Sequence, residues 1–185
     1  MTALTARRSQ LASNPLRGPA AIVAAATAIA ALVAVAVIVL DAGTSVRALM
    51  PLRLPARSGS WHAALSIYTH NLAVAAIPLL AATAVGRPQG PTLRWRRTVD
   101  ALLATILAVN AARVGAAAGA YGLPLIRYLA LHGPLELSAF AIAAVPYLRA
   151  RSDPGQAGPI VGRAALVCAA LLALAAVLEV RRGLT

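Results

Sequence analysis

His132 and Glu136 sit four residues apart inside a mostly apolar stretch that runs from about Leu123 to Leu148. On a helix they share one face. An imidazole and a carboxylate at that spacing can hold a metal ion, pass a proton, or join a buried hydrogen-bond network. Ionisable groups at membrane depth cost roughly 2.5 kcal/mol or more, and they face a bundle interior or a water-filled cavity. Something else in the chain must offset that cost.

Two neighbouring apolar runs carry further polar groups. His62, Ser66, Thr69, His70 and Asn71 crowd the first half of residues 61–85, and Asn110 and Arg113 interrupt residues 98–120. Residues 62, 66, 69 and 73 form one helical stripe with His70 near it. That stripe is expected to face other helices. The set predicts a buried polar centre of His70, Asn71, Asn110, Arg113, His132 and Glu136. In it Arg113 pairs with Glu136, and the amides and imidazoles complete the hydrogen bonds.

Other chemistries are weaker. A metal site would take His132, Glu136 and His70, but the spacing is unspecific and Gly133-Pro134 disturbs the helix between two of the ligands. No metal and no cofactor are expected. No Ser or Asp pair stands beside a fitting base. Cys168, the single cysteine, lies in an apolar run and reads as a packed thiol. No enzymatic activity is expected. Two alternatives stay open: a small transporter or the membrane subunit of one, and an intramembrane, metal-dependent enzyme.

The elements that must position these residues follow from composition. The chain has 185 residues, 60% hydrophobic and 12% charged, with a mean hydropathy of +0.77. Its apolar mass is Ala, Leu, Val and Ile, and small residues let membrane helices approach closely. The expectation is an all-α polytopic bundle in one body, residues 19–182, behind an N-terminal tail, residues 1–18. Spans are expected at about 20–40, 61–85, 98–120, 123–148 and 164–180. A broken helix is expected near Gly133-Pro134. Gly115 and Gly119 make a small-xxx-small packing surface. Asp100 follows Arg94, Arg96 and Arg97 and is expected to cap or pair locally.

The net charge of +12 comes entirely from arginine and lies mostly between the apolar runs. It has no aromatic interleaving and no nucleic-acid motif, so nucleic acid is not an expected partner. It reads as topology. With the N-terminus inside, the inner segments hold Arg7, Arg8, Arg17, Arg87, Arg94, Arg96, Arg97, Arg149, Arg151 and Arg163. The outer ones hold Arg47, Arg53, Arg57, Arg181 and Arg182, with Arg127 ambiguous. This favours a cytoplasmic N-terminus and an outside C-terminus in the cell membrane. The run from Ala20 to Leu40 is too long for a signal-peptide core and reads as an uncleaved first span.

His132-Gly133-x-x-Glu136, followed by an Ala-rich span, resembles the Pro-His-Gly-x-x-Glu signature of the stage II sporulation protein M family. Ile67-Tyr68-Thr69-His70-Asn71 resembles that family's Asn-Asn start of a span. Asn110-x-x-x-x-Gly115 resembles its Asn-Gly-x-x-x-Gly segment. Order and spacing agree over about residues 62–150. Leu131 stands where the family has proline, His70 replaces the first asparagine, and Ala111 replaces a glycine. The resemblance implies a short, divergent member: a multipass membrane protein without known catalysis, acting as a scaffold or complex subunit. Its implied partners are the lipid bilayer and other membrane or envelope proteins, with a homo-oligomer also open. The topology is checked by fusing a reporter after Thr185. A reporter that works only outside the membrane is expected to be active, and one that works only in the cytoplasm is expected to be silent.

Overall fold

A computed structural model describes residues 17–51, 61–86, 93–153 and 158–182, nearly all of them helical. Residues 1–16 of the expected tail, Arg53 and Arg57 of the first loop and Arg87 of the second lie outside the described residues. Six helices follow in order: α1 (Arg17–Val39), α2 (Gly43–Leu49), α3 (Trp61–Val85), α4 (Leu93–Tyr121), α5 (Leu123–Ser152) and α6 (Gly158–Arg182). All except α2 are long and apolar enough to cross a membrane. At about 1.5 Å per residue, about twenty apolar residues match a hydrocarbon core about 30 Å thick. The architecture is that of an all-α multipass membrane protein.

Side-chain size follows the same logic. Leu32, Ile38, Leu80, Leu102 and Leu166 are exposed, while the buried positions are mostly alanine. Lipid solvates leucine as well as a protein interior does, so nothing drives large apolar groups inward. Small inward residues instead let the backbones close on one another.

Three helices make the centre. Ala75 of α3 packs with Ala139 and Ala143 of α5 and with Cys168 and Leu172 of α6. Further along, Ala82 and Val85 meet Tyr147 and Ala150, with Val161 of α6 alongside. Helices α3 and α5 therefore run parallel and α6 runs against both. Helix α4 joins this second cluster through Val99 and Leu103, antiparallel to α3 and α5. That end of the bundle carries Arg94, Arg97, Arg149, Arg151 and Arg163 and is here termed the basic end. The opposite one is the Trp61 end.

Helix α1 lies along α4 and runs parallel to it, with Ala30 at Gly115 and Ala34 at Gly119. A Cβ on Gly115 would overlap the Ala30 carbonyl. One on Gly119 would sit 2.7 Å from the Ala34 carbonyl oxygen and 2.9 Å from the Val37 Cβ. Only hydrogen fits at either place. Helix α2 then folds over the end of α4. Arg47 Nη1 donates to the Ala120 carbonyl at 2.6 Å, and the Tyr121 hydroxyl donates to the Met50 carbonyl at 3.0 Å. Carbonyls of a last helical turn have no partner within the helix, and a cation there also meets the negative end of the helix dipole.

The expected break near Gly133-Pro134 does not occur. Helix α5 is continuous from Leu123 to Ser152, with Pro134 and Pro146 inside it. Each proline removes one N–H and so one intrahelical bond. Packed membrane helices accommodate that loss through local adjustment and neighbouring groups. The real reversal is at Gly122, with φ 65° and ψ −149°, a region essentially restricted to glycine. Pro124 follows in the first turn of α5, where its fixed φ is an advantage.

Two glycines give a test of the α1–α4 seam. Gly115→Val is expected to lower stability by about 1–3 kcal/mol through overpacking, read as a fall in melting temperature in detergent. Gly133→Ala, whose Cβ would meet nothing closer than Leu129 Cβ at 3.9 Å, is expected to leave stability unchanged or raise it by about 0.5–1 kcal/mol.

Candidate functional site

The inward face of α5 is Tyr128, His132, Glu136, Ala139, Ala143, Tyr147 and Ala150, buried or half-buried at steps of three and four. On α6 the matching stripe is Cys168, Leu172, Ala175 and Glu179. On α3 it is Asn71, Ala75 and Ala82. Near the basic end the three stripes are mostly small and apolar, Tyr147 excepted. Toward the Trp61 end their members become polar, and there they bond to one another.

Asn71 Nδ2 donates to Glu136 Oε1 and joins α3 to α5. The Tyr128 hydroxyl donates to Glu179 Oε1 at 2.9 Å and joins α5 to α6. His132, only 3% exposed, stands between Tyr128 and Glu136 on the same face. Its ring meets Tyr128 edge-on, with centroids 5.0 Å apart and planes at 73°. Each carboxylate thus receives a donor from a different helix. A hydrogen bond to a charged group contributes about 1.5–3 kcal/mol, and a donor left unpaired in the interior costs about 1–3 kcal/mol. The centre therefore holds the three helices in one register.

Of the six residues expected in a polar centre, Asn71 and Glu136 are joined directly and His132 lies buried beside them. His70 is exposed on α3, about 100° round the helix from Asn71. Asn110 is exposed, and its amide donates back to the Ile106 carbonyl at 2.8 Å. Arg113 is exposed as well. The expected Arg113–Glu136 pair is not formed, and Asn71 partners Glu136 instead. Arg113 precedes Gly115 by two residues, about 200° of helix, so with Gly115 on α1 the guanidinium lies on the side of α4 away from α1, where it is exposed.

The ion pair among the described residues lies at the basic end. Arg151 Nη2 is 2.9 Å from Asp100 Oδ2, and the Tyr147 hydroxyl donates to Asp100 Oδ1 at 2.6 Å. Asp100 therefore pairs across to α5 and not locally with Arg94, Arg96 or Arg97. Its helix carries these arginines on its first turns, and α5 ends beside them.

None of Tyr128, Tyr147, Arg151 and Glu179 is expected in either cluster from the sequence. Glu179 lies near the end of the last apolar run, just before Arg181 and Arg182. The signal that finds it is the stripe 168, 172, 175, 179, which continues the buried face of α6. Among the described residues no three of His, Cys, Asp or Glu converge as a metal-ligand group. No family model, no curated protein and no solved structure matches this chain.

The centre predicts a coupled pair. Glu136→Ala and Asn71→Ala are each expected to destabilise by about 1–3 kcal/mol, and the double variant by clearly less than the sum. Glu136→Gln keeps an acceptor for Asn71 and is expected to lie near wild type. Arg113→Ala is expected within about 0.5 kcal/mol of wild type. Thermal melts of all five in one detergent decide this; a large loss for Arg113→Ala would contradict the observed partnering.

Proposed function

We propose that this protein is a non-catalytic subunit or scaffold of a complex within the membrane. One observation carries the reading. Asn110 and Arg113 lie well inside a helix apolar enough to span, yet both are exposed. Arg113 has no ion pair or hydrogen bond among the described residues. It stands eight residues, about 12 Å, from Tyr121 at the helix end. Polar groups at that depth face protein or water and not lipid. His70, outward on α3, adds to the same surface. A partner that covers these groups removes the cost.

The internal polar centre supports the same reading. It links α3, α5 and α6 by side chains bonded to one another, as suits a rigid platform. The resemblance to stage II sporulation protein M points in the same direction, since what it implies is partnership in a membrane assembly. The cell membrane, with a cytoplasmic N-terminus, remains the proposed location on the arginine distribution.

A second reading, proton or cation movement, has one observation in its favour. Glu136 and Glu179 both belong to the three-helix polar centre, and neither forms an ion pair among the described residues. Carboxylates inside spans often mark such paths.

Photo-crosslinking separates solitary from assembled protein. A benzophenone side chain at position 110 or 113 is expected to give protein adducts in native membranes. The same group at Leu166, an exposed position on α6, is expected to give lipid adducts. Lipid adducts alone at all three positions would remove the subunit reading.

A further inference from the structure

The exposed polar groups of α4 form part of a continuing face. Val99 and Leu103 pack into the α3–α5 cluster at the basic end. Three and seven residues further along come Ile106 and Asn110, so the four make one helical stripe. Helix α3 has a corresponding stripe. Ala81 packs into the same cluster, and Ile77, Val74 and His70 continue its line toward the Trp61 end. The helices are antiparallel, so His70 comes level with Asn110 and Arg113. Had α3 and α4 stayed in contact along their lengths, these residues would cover one another. All three are exposed instead. The two faces therefore do not cover each other at this level, which leaves an opening with His70 on its α3 side and Asn110 on its α4 side, Arg113 at its edge.

We infer that this opening receives a transmembrane helix of another protein that presents a carboxylate to Arg113. The inference rests on the subunit reading above and names the partner chemistry. Charge decides the occupant. Arg113 is a permanent cation, and a guanidinium at this depth is best matched by a planar, bidentate anion. A second copy of this chain cannot supply one. It has five acidic residues. Asp100 is held by Arg151 and Tyr147, Glu136 by Asn71, and Glu179 by Tyr128. Asp41 and Asp153 lie at helix ends, away from the depth of Arg113. The matching carboxylate must come from a different polypeptide. Asn110 and His70 then offer polar contacts to its flanks, and the small, exposed Ala73 beside His70 leaves room for a close approach.

The full chain in phosphatidylcholine vesicles tests this with synthetic probes. The probes are Leu/Ala transmembrane peptides of about twenty residues, identical except for Glu, Gln or Leu at the centre. Association is read by energy transfer from a donor on the protein to an acceptor on the peptide, at alkaline pH. The Glu peptide is expected to bind about tenfold more tightly than the Leu peptide. Arg113→Leu is expected to abolish the difference. Arg113→Glu is expected to reverse it, favouring a peptide with a central Arg. Equal binding of the Glu and Leu peptides to the wild-type chain would overturn the inference. So would loss of the preference when phosphatidylglycerol is added, because Arg113 would then be reading a lipid phosphate. Protein adducts from position 113 together with a flat peptide series would keep the subunit reading and remove only the carboxylate partner. Melting temperatures of the two Arg113 variants equal to wild type establish that both are folded.

Discussion

The close approach of α1 and α4 governs how the polar groups of this bundle are distributed. At Gly115 and Gly119 the backbone of α4 touches the backbone of α1, and no side chain fits between them. In lipid this kind of contact is among the few that favour one helix pairing over another, because apolar side chains gain nothing by leaving lipid for protein. It fixes rotation as well as position. With Gly115 and Gly119 against α1, Arg113 is directed away from that seam, and Asn110 lies on the α3-facing side of the helix. The α3–α5–α6 centre must then satisfy its carboxylates without α4.

That centre does so with donors drawn from its own members. Asn71 serves Glu136 and Tyr128 serves Glu179, so each polar pair crosses a different interface. Alanine seams such as Ala75 against Ala139 and Ala143 are smooth, and one register is nearly as good as the next a turn away. A hydrogen-bonded pair is sharply position-dependent, and a one-turn slip of about 5.4 Å would strand both partners in an apolar setting. Small residues permit the approach and polar residues select the register. At the basic end, Asp100 with Arg151 and Tyr147 gives α4 its own attachment to α5, which leaves the Trp61 half of α4 free to diverge.

Much of this bundle is legible in the sequence, and the limits are physical. Five long apolar runs separated by Arg, Gly and Pro are unmistakable, because crossing a membrane requires length and hydropathy and little else. Gly115 and Gly119 announce a close contact through spacing alone. Asn71, His132 and Glu136 stand out as polar intrusions. Which polar groups meet is a different matter. It depends on rotations of whole helices, and a rotation is set by contacts elsewhere, as Gly115 sets that of Arg113. Pro134 misleads for a related reason: in water it would interrupt a helix, whereas a packed span carries it through. Glu179 was hidden by its two arginine neighbours, although the buried stripe from Cys168 leads to it.

A cation within a span but left outside its own bundle has a consequence for assembly. If Arg113 were paired inside, the outer face of α4 would be uniform and its orientation toward any neighbour undetermined. With the guanidinium outside, orientations differ greatly in energy, since those that leave it against lipid retain the full desolvation cost. The same penalty acts on the isolated chain, which must tilt the side chain toward the Trp61 end or draw polar groups inward. A neighbour that supplies an anion removes the penalty and gains a pairing in a medium where charges attract strongly. The cost borne by the free chain therefore acts as specificity: it weakens contacts with purely apolar helices less than it strengthens contact with the one that answers Arg113.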